Sequence, residues 1–245
     1  MKKAVIIAML LAITGIALAD VVEFRGKSAT IKVITDEGRI RSARRDGNTI
    51  FSAPLGSEYS VVITNRTDGR ILAVPTVDGL NAIDRSKGDW EGSGYVIEPY
   101  GEVEIKGFRR KDSFQHVERF TFNEARFSLA DRIGDVRNVG VIGAAIFKEY
   151  EPPRYELRDM ACESAAPSAA RTKCDSRAGT EAGRTVNDPV RRVEFQRATD
   201  LPGEVLALYY DKEENLVSSG ILTPPYSPPP TGFLSPFPSN FARGN

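Results

Sequence analysis

Asp84, Asp89, Trp90 and Glu91 bring three carboxylates and the only tryptophan of the chain into one short stretch. An exposed indole beside carboxylates is how many sugar sites are built, with the ring face against the sugar and the acids taking its hydroxyls. Tyr95 adds a second ring a few residues on. The same acids, with Asp78 and Asn81, are hard oxygen donors of the type Ca²⁺ takes, although their spacing does not reproduce the Asp-x-Asp-x-Asp-Gly loop. Trp90 also lies in the turn-like run Lys87-Gly88-Asp89-Trp90-Glu91-Gly92. There the commoner use of a tryptophan is to cover one end of a β core. The candidate ligand-binding residues are therefore Trp90, Tyr95, Asp84 and Asp89, for a carbohydrate or for Ca²⁺.

Catalytic constellations are scarce. His116 is the only histidine, which removes every two-histidine zinc site and would have to serve any Ser-His-Asp triad. Gly92-Ser93-Gly94 lacks the spacing of a Gly-x-Ser-x-Gly elbow. Neither Gly-x-x-x-x-Gly-Lys nor Gly-x-Gly-x-x-Gly occurs, so nucleotide chemistry has no support and no cofactor is expected. A carboxylate-dependent hydrolase needs only two acids at the right separation, and 33 acids leave that alternative open. No catalytic residue is assigned.

Charge narrows the partners. The 33 Lys and Arg balance the 33 Asp and Glu, and loss of residues 1–19 with Lys2 and Lys3 leaves 31 bases, a net charge of −2. A protein held to nucleic acid or anionic lipid by bulk charge needs a basic surplus. Local clusters remain at Arg109, Arg110, Lys111 and Arg119, and at Arg191, Arg192 and Arg197. Interspersed acids make a solvated face their ordinary explanation.

Residues 1–19 read as a signal peptide: Lys2-Lys3, an apolar stretch from Ala4 to Leu18, then Ala17-Leu18-Ala19 before Asp20. That stretch is shorter than the ~20 residues a spanning helix needs. The nine-residue apolar run Val139 to Phe147 suits a buried strand. Export to an oxidising compartment makes a disulfide the default for Cys162 and Cys174, the only cysteines. Such a bridge would be a local staple worth ~3 kcal/mol.

The elements that must position these groups are strands. Alternation puts Val103 with Ile105, Phe120 with Phe122, Val61 with Ile63, and Val193 with Phe195 on shared faces. It also predicts strands over 29–35, 38–44, 71–77, 95–98, 139–148, 205–210 and 216–222. By the same alternation His116 shares a face with Phe120 and Phe122. Asp46-Gly47, Asp68-Gly69 and Asp78-Gly79 are among the turn signals between them. One helical turn is expected within 123–133, capped by Asn123 or Ser128. The reading is all-β: an antiparallel β-sandwich over 20–222 with one short helical turn. An irregular, disulfide-stapled surface excursion is placed at 151–188, where large apolar residues thin out. A Pro-rich tail follows over 223–245, where Tyr226, Phe233, Phe237 and Phe241 interleave with seven prolines. That composition favours an extended or disordered tail, and also suits docking into an aromatic-lined groove.

The segments Val77 to Asn81, Ser93 to Ile97 with Pro99, Ile105 to Arg109, Phe120 to Phe122 and Asn138 to Gly143 together resemble a pattern recurring in exported bacterial proteins of unknown function. Val193 to Ala198 and Leu208 to Asp211 extend the resemblance, which covers roughly residues 55–222. It implies a bacterial, extracytoplasmic setting and one continuous β-rich unit, and no activity, cofactor or site residue. The expectation is a non-catalytic, exported binding or scaffolding module, periplasmic or extracellular, with no membrane span in the mature chain. Its partner is an unknown protein or envelope component, and exposed edge strands leave a homo-oligomer open.

Overall fold

The computed structural model describes residues 20–110, 115–134, 136–152 and 178–225. The signal-peptide expectation for residues 1–19, the Cys162–Cys174 disulfide and the tail from Tyr226 lie outside the described residues.

Alternating apolar residues fold into two seven-stranded sheets. The first holds β1 (Asp20–Arg25), β2 (Ala29–Thr35), β5 (Glu58–Asn65), β9 (Glu102–Ile105), β10 (Gly107–Arg109), β11 (His116–Glu124) and β13 (Ala178–Asn187). The second holds β3 (Ser42–Arg45), β4 (Asn48–Ser52), β6 (Ile71–Val77), β7 (Leu80–Asn81), β8 (Tyr95–Ile97), β12 (Val141–Lys148) and β14 (Glu204–Asp211). In the second sheet the order is β3-β4-β14-β12-β6-β7, with β8 also against β6. All these pairs are antiparallel except β4 with β14. The fold is an all-β sandwich.

Ile31, Val33, Val61, Ile63 and Phe120 of one sheet pack against Ile71, Ile142, Ile146, Leu206 and Leu208 of the other. Each such side chain, fully buried, stabilises the fold by ~1.5–3 kcal/mol. Aromatic rings cross the interface: Phe122 lies edge-on to Phe51 and Tyr210 at 6.0 and 5.2 Å between centroids. Asp46-Gly47 and Asp78-Gly79 make two-residue hairpins with both residues at positive φ, the geometry whose twist matches the strands it joins. The expected helical turn is a 3₁₀ turn, Ala125–Phe127, followed by α1 (Leu129–Ile133). Of the two cap candidates it is Ser128 whose Oγ accepts from Asp131 N, at 3.1 Å.

Several sequence expectations differ from the structure, and the strand expected over 38–44 is confined to β3 at Ser42–Arg45. Residues 178–187, placed in the irregular excursion, form β13 along most of β11. Its poverty in large side chains reflects close packing: a Cβ on Gly179 would stand 2.8 Å from Ser128 Cβ, and one on Gly183 2.5 Å from Thr121 Oγ1. Val193 and Phe195 do not share a strand face; Val193 is exposed, and Phe195 covers Leu72, Val74 and Phe147 on the outer side of the second sheet. The strand expected over 216–222 is instead α2 (Glu213–Ser218), whose acidic first turn complements the helix dipole.

β10 crosses β11 so closely that a Cβ on Gly107 would lie 2.0 Å from Glu118 O. Gly107→Ala should therefore lose about 1–3 kcal/mol, read as a lower urea midpoint at unchanged slope.

Candidate functional site

Inward residues of β6, β12 and β14 build the core, so the alternate residues face out and decide what that surface offers. On β12 these are Val141, Gly143 and Ala145; on β14 they are Val205, Ala207 and Tyr209. Register sets Val141 opposite Tyr209, Gly143 between Ala207 and Thr76, and Ala145 between Val205 and Val74. The middle row has almost no side-chain bulk. A trough of about 320 Å³ results, floored by that row and rimmed by Tyr209, Val205, Asn138, Asp89 and Trp90. Val205 is 58% exposed and Trp90 51%.

The β7–β8 loop holds Trp90 at this rim. Fully buried Asn81 closes its base, donating from Nδ2 to Ser93 O at 2.9 Å and accepting from Ile83 N at 2.8 Å. Gly88 N donates to Gly79 O at 2.7 Å, which ties the loop to the β6–β7 hairpin. Asp89 Oδ1 accepts from Glu91 N at 3.0 Å, squaring the turn that projects the indole. Trp90 therefore does not cover the end of the core.

The four residues singled out in the sequence divide between two places. Trp90 and Asp89 line the trough. Asp84 faces a second cleft of about 430 Å³, shared with Ser86, Ser93, Arg109, Arg110 and Arg192. There its Oδ1 accepts from Ser86 N at 2.9 Å and Ser86 Oγ at 2.5 Å. Tyr95 is held from behind: Arg109 Nη2 donates to its hydroxyl at 3.1 Å, and the guanidinium carbon lies 5.8 Å from its ring centroid. Burial pushes the Tyr95 hydroxyl upward in pKa, against the lowering effect of Arg109. Arg109, only 1% exposed, also donates from Nη1 to Asp188 O and from Nη2 to Asp188 Oδ2, each at 2.7 Å. Tyr95 is thus anchored to Arg109 at the start of β8 and does not line the trough.

Asp78 is no cation ligand. It is 1% exposed between the sheets, where Gly140 N donates to its Oδ1 at 2.9 Å, Tyr210 OH to the same oxygen at 2.7 Å, and Thr180 N to Oδ2. Thr180 Oγ1 is within 2.8 Å of Tyr210 OH and also bonds Tyr59 OH. Burial pushes the Asp78 carboxyl up to about 6, against the lowering effect of these donors. It likewise pushes Tyr59 and Tyr210 well above the ordinary phenol range. Among the described residues no group of three or more His, Cys, Asp or Glu side chains could hold a metal ion. Among the described residues, Asp89 is the carboxylate that lines the trough and Asp84 the one that lines the second cleft. His116 stands exposed at the start of β11 and does not share the face of Phe120 and Phe122, because the register shifts between Glu118 and Phe120.

Tyr209 and Asn138 are the trough residues that sequence reasoning passed over. Tyr209-Tyr210 in an alternating strand requires one ring to face outward, and that was the available signal. Comparison of the chain with protein families, with curated proteins and with solved structures finds no match, so no role comes to these residues from another protein.

Proposed function

We propose that the protein is a non-catalytic binding module whose contact face is the trough on the outer side of the second sheet. The observation that carries this is a low floor at Gly143 and Ala207 walled by two aromatic side chains, Trp90 and Tyr209. Ligand sites combine concavity, apolar lining and a few polar groups that set orientation. Thr76, Asn138 and Asp89 supply the polar groups here. The leader-like residues 1–19 support an exported setting, periplasmic or extracellular, for this activity.

The exposed face of Trp90 beside the Asp89 carboxylate favours a carbohydrate as the ligand class. Trp90 is the only tryptophan, so its fluorescence reports on the trough alone. Titration with a panel of glycans should shift that emission saturably for at least one class, and Tyr209→Ala should weaken that binding about tenfold or more. A flat response across a broad panel removes the carbohydrate reading. Saturable binding unaffected by Tyr209→Ala removes the trough as its seat.

A further inference from the structure

The trough is open, and the chain carries a segment with the chemistry to fill it. Residues 226–245 follow Pro225, the last described residue, and contain five prolines, four aromatic residues and Leu234. Their only charged side chain is that of Arg243. A Pro-rich segment docks readily on aromatic walls, because its polyproline helix is already extended and proline brings no N–H that burial would leave unpaired. The other cleft is lined by Arg109, Arg110 and Arg192, and a segment with no acidic side chain brings these arginines no counter-charge. The trough offers apolar floor, two rings and the exposed carboxylate of Asp89.

The segment starts at the β4 side of the same sheet. Arg41 Nη2 donates to Thr223 O at 2.6 Å, and Arg41 N donates to Ser52 Oγ at 2.9 Å. Ser52 of β4 is paired with Asp211 of β14, two residues beyond Tyr209. One strand spacing, ~4.8 Å, separates β4 from β14. Twenty residues reach ~25 Å as a flexible coil and ~60 Å as polyproline helix.

We propose that residues 226–245 occupy the trough of their own domain as a strap, seating Phe233, Phe237 or Phe241 against Trp90 and Tyr209. The inference rests on the trough being the binding face, and it adds that an external ligand must displace the strap. A tether of this length gives a millimolar effective concentration, so even a ~100 μM contact is about nine-tenths occupied.

The test compares the chain from Asp20 to Asn245 with the same chain carrying Phe233→Ala, Phe237→Ala and Phe241→Ala. Acrylamide quenching of Trp90 should rise several-fold in the triple variant and fall again when a synthetic 226–245 peptide is added. Equal quenching in the two proteins, with no effect of excess peptide, overturns the strap. Protection lost on dilution overturns its intramolecular form and assigns the contact to a second copy. A glycan that shifts Trp90 with the same affinity in both proteins also overturns the strap while leaving the binding face standing, so the two failures are distinguishable.

Discussion

Asp78→Asn should lower stability by about 3–5 kcal/mol at pH 7, because it sets two buried donors face to face. A carboxylate only accepts, and here it accepts from Gly140 N, Thr180 N and Tyr210 OH. An amide turns one of its two atoms into a donor, which must then face a backbone N–H that cannot turn away. Each buried donor left without an acceptor costs ~1–3 kcal/mol. Urea unfolding of both proteins at pH 7 reads the loss, and a loss under about 1 kcal/mol would show that Asp78 does not hold β12, β13 and β14 together in this way.

The same group sets a pH dependence. Its folded pKa of about 6 lies above the ordinary carboxyl value of 3.8, so between these values the native state binds more protons than the unfolded chain. Stability from this group is therefore fully present below about pH 4 and is lost as pH rises through 6, by about 3 kcal/mol in all. The difference in stability between the parent and Asp78→Asn should narrow over that interval and stay flat above pH 7. A difference that widens from pH 4 to 6 would reverse the assigned sign.

Arg109→Met should cost about 3–4 kcal/mol, because it keeps much of the volume of a buried side chain and removes its charge. Asp188 loses its two guanidinium contacts and the Tyr95 hydroxyl loses a donor. Asp188 keeps some contact with water, which places the loss below that of a fully buried pair. A double-mutant cycle with Asp188→Asn separates the pair from packing: coupling above about 1 kcal/mol is expected, and additive losses would leave Arg109 as packing alone.

The strands were legible where alternation and turn chemistry agree. β2, β6, β12 and β14 lie within two residues of the sequence reading, and both Asp-Gly hairpins are where the sequence puts them. β13 was hidden because its Ala, Gly and Thr residues serve close packing, and close packing leaves the same compositional trace as an exposed loop. Trp90 and Asp89 could be found from residue type alone. Asp84 and Tyr95 were grouped with them by proximity in sequence, yet the turn between β7 and β8 sends them to another cleft and to a contact with Arg109. Asp78 looked like a cation ligand because sequence shows its oxygens and not the donors that occupy them, which come from β12, β13 and β14.

β14, the last strand among the described residues, lies in the middle of its sheet, with β4 on one side and β12 on the other. Until residues 204–211 arrive, the β3–β4 hairpin has no bond to β12 and β6. The pairing of Leu208 with Thr49 spans most of the chain, and such non-local closure is slow. The trough borrows Val205, Ala207 and Tyr209 from this strand, so it does not exist before β14 is inserted. A chain that lacks residues 204–211 therefore has no trough to offer.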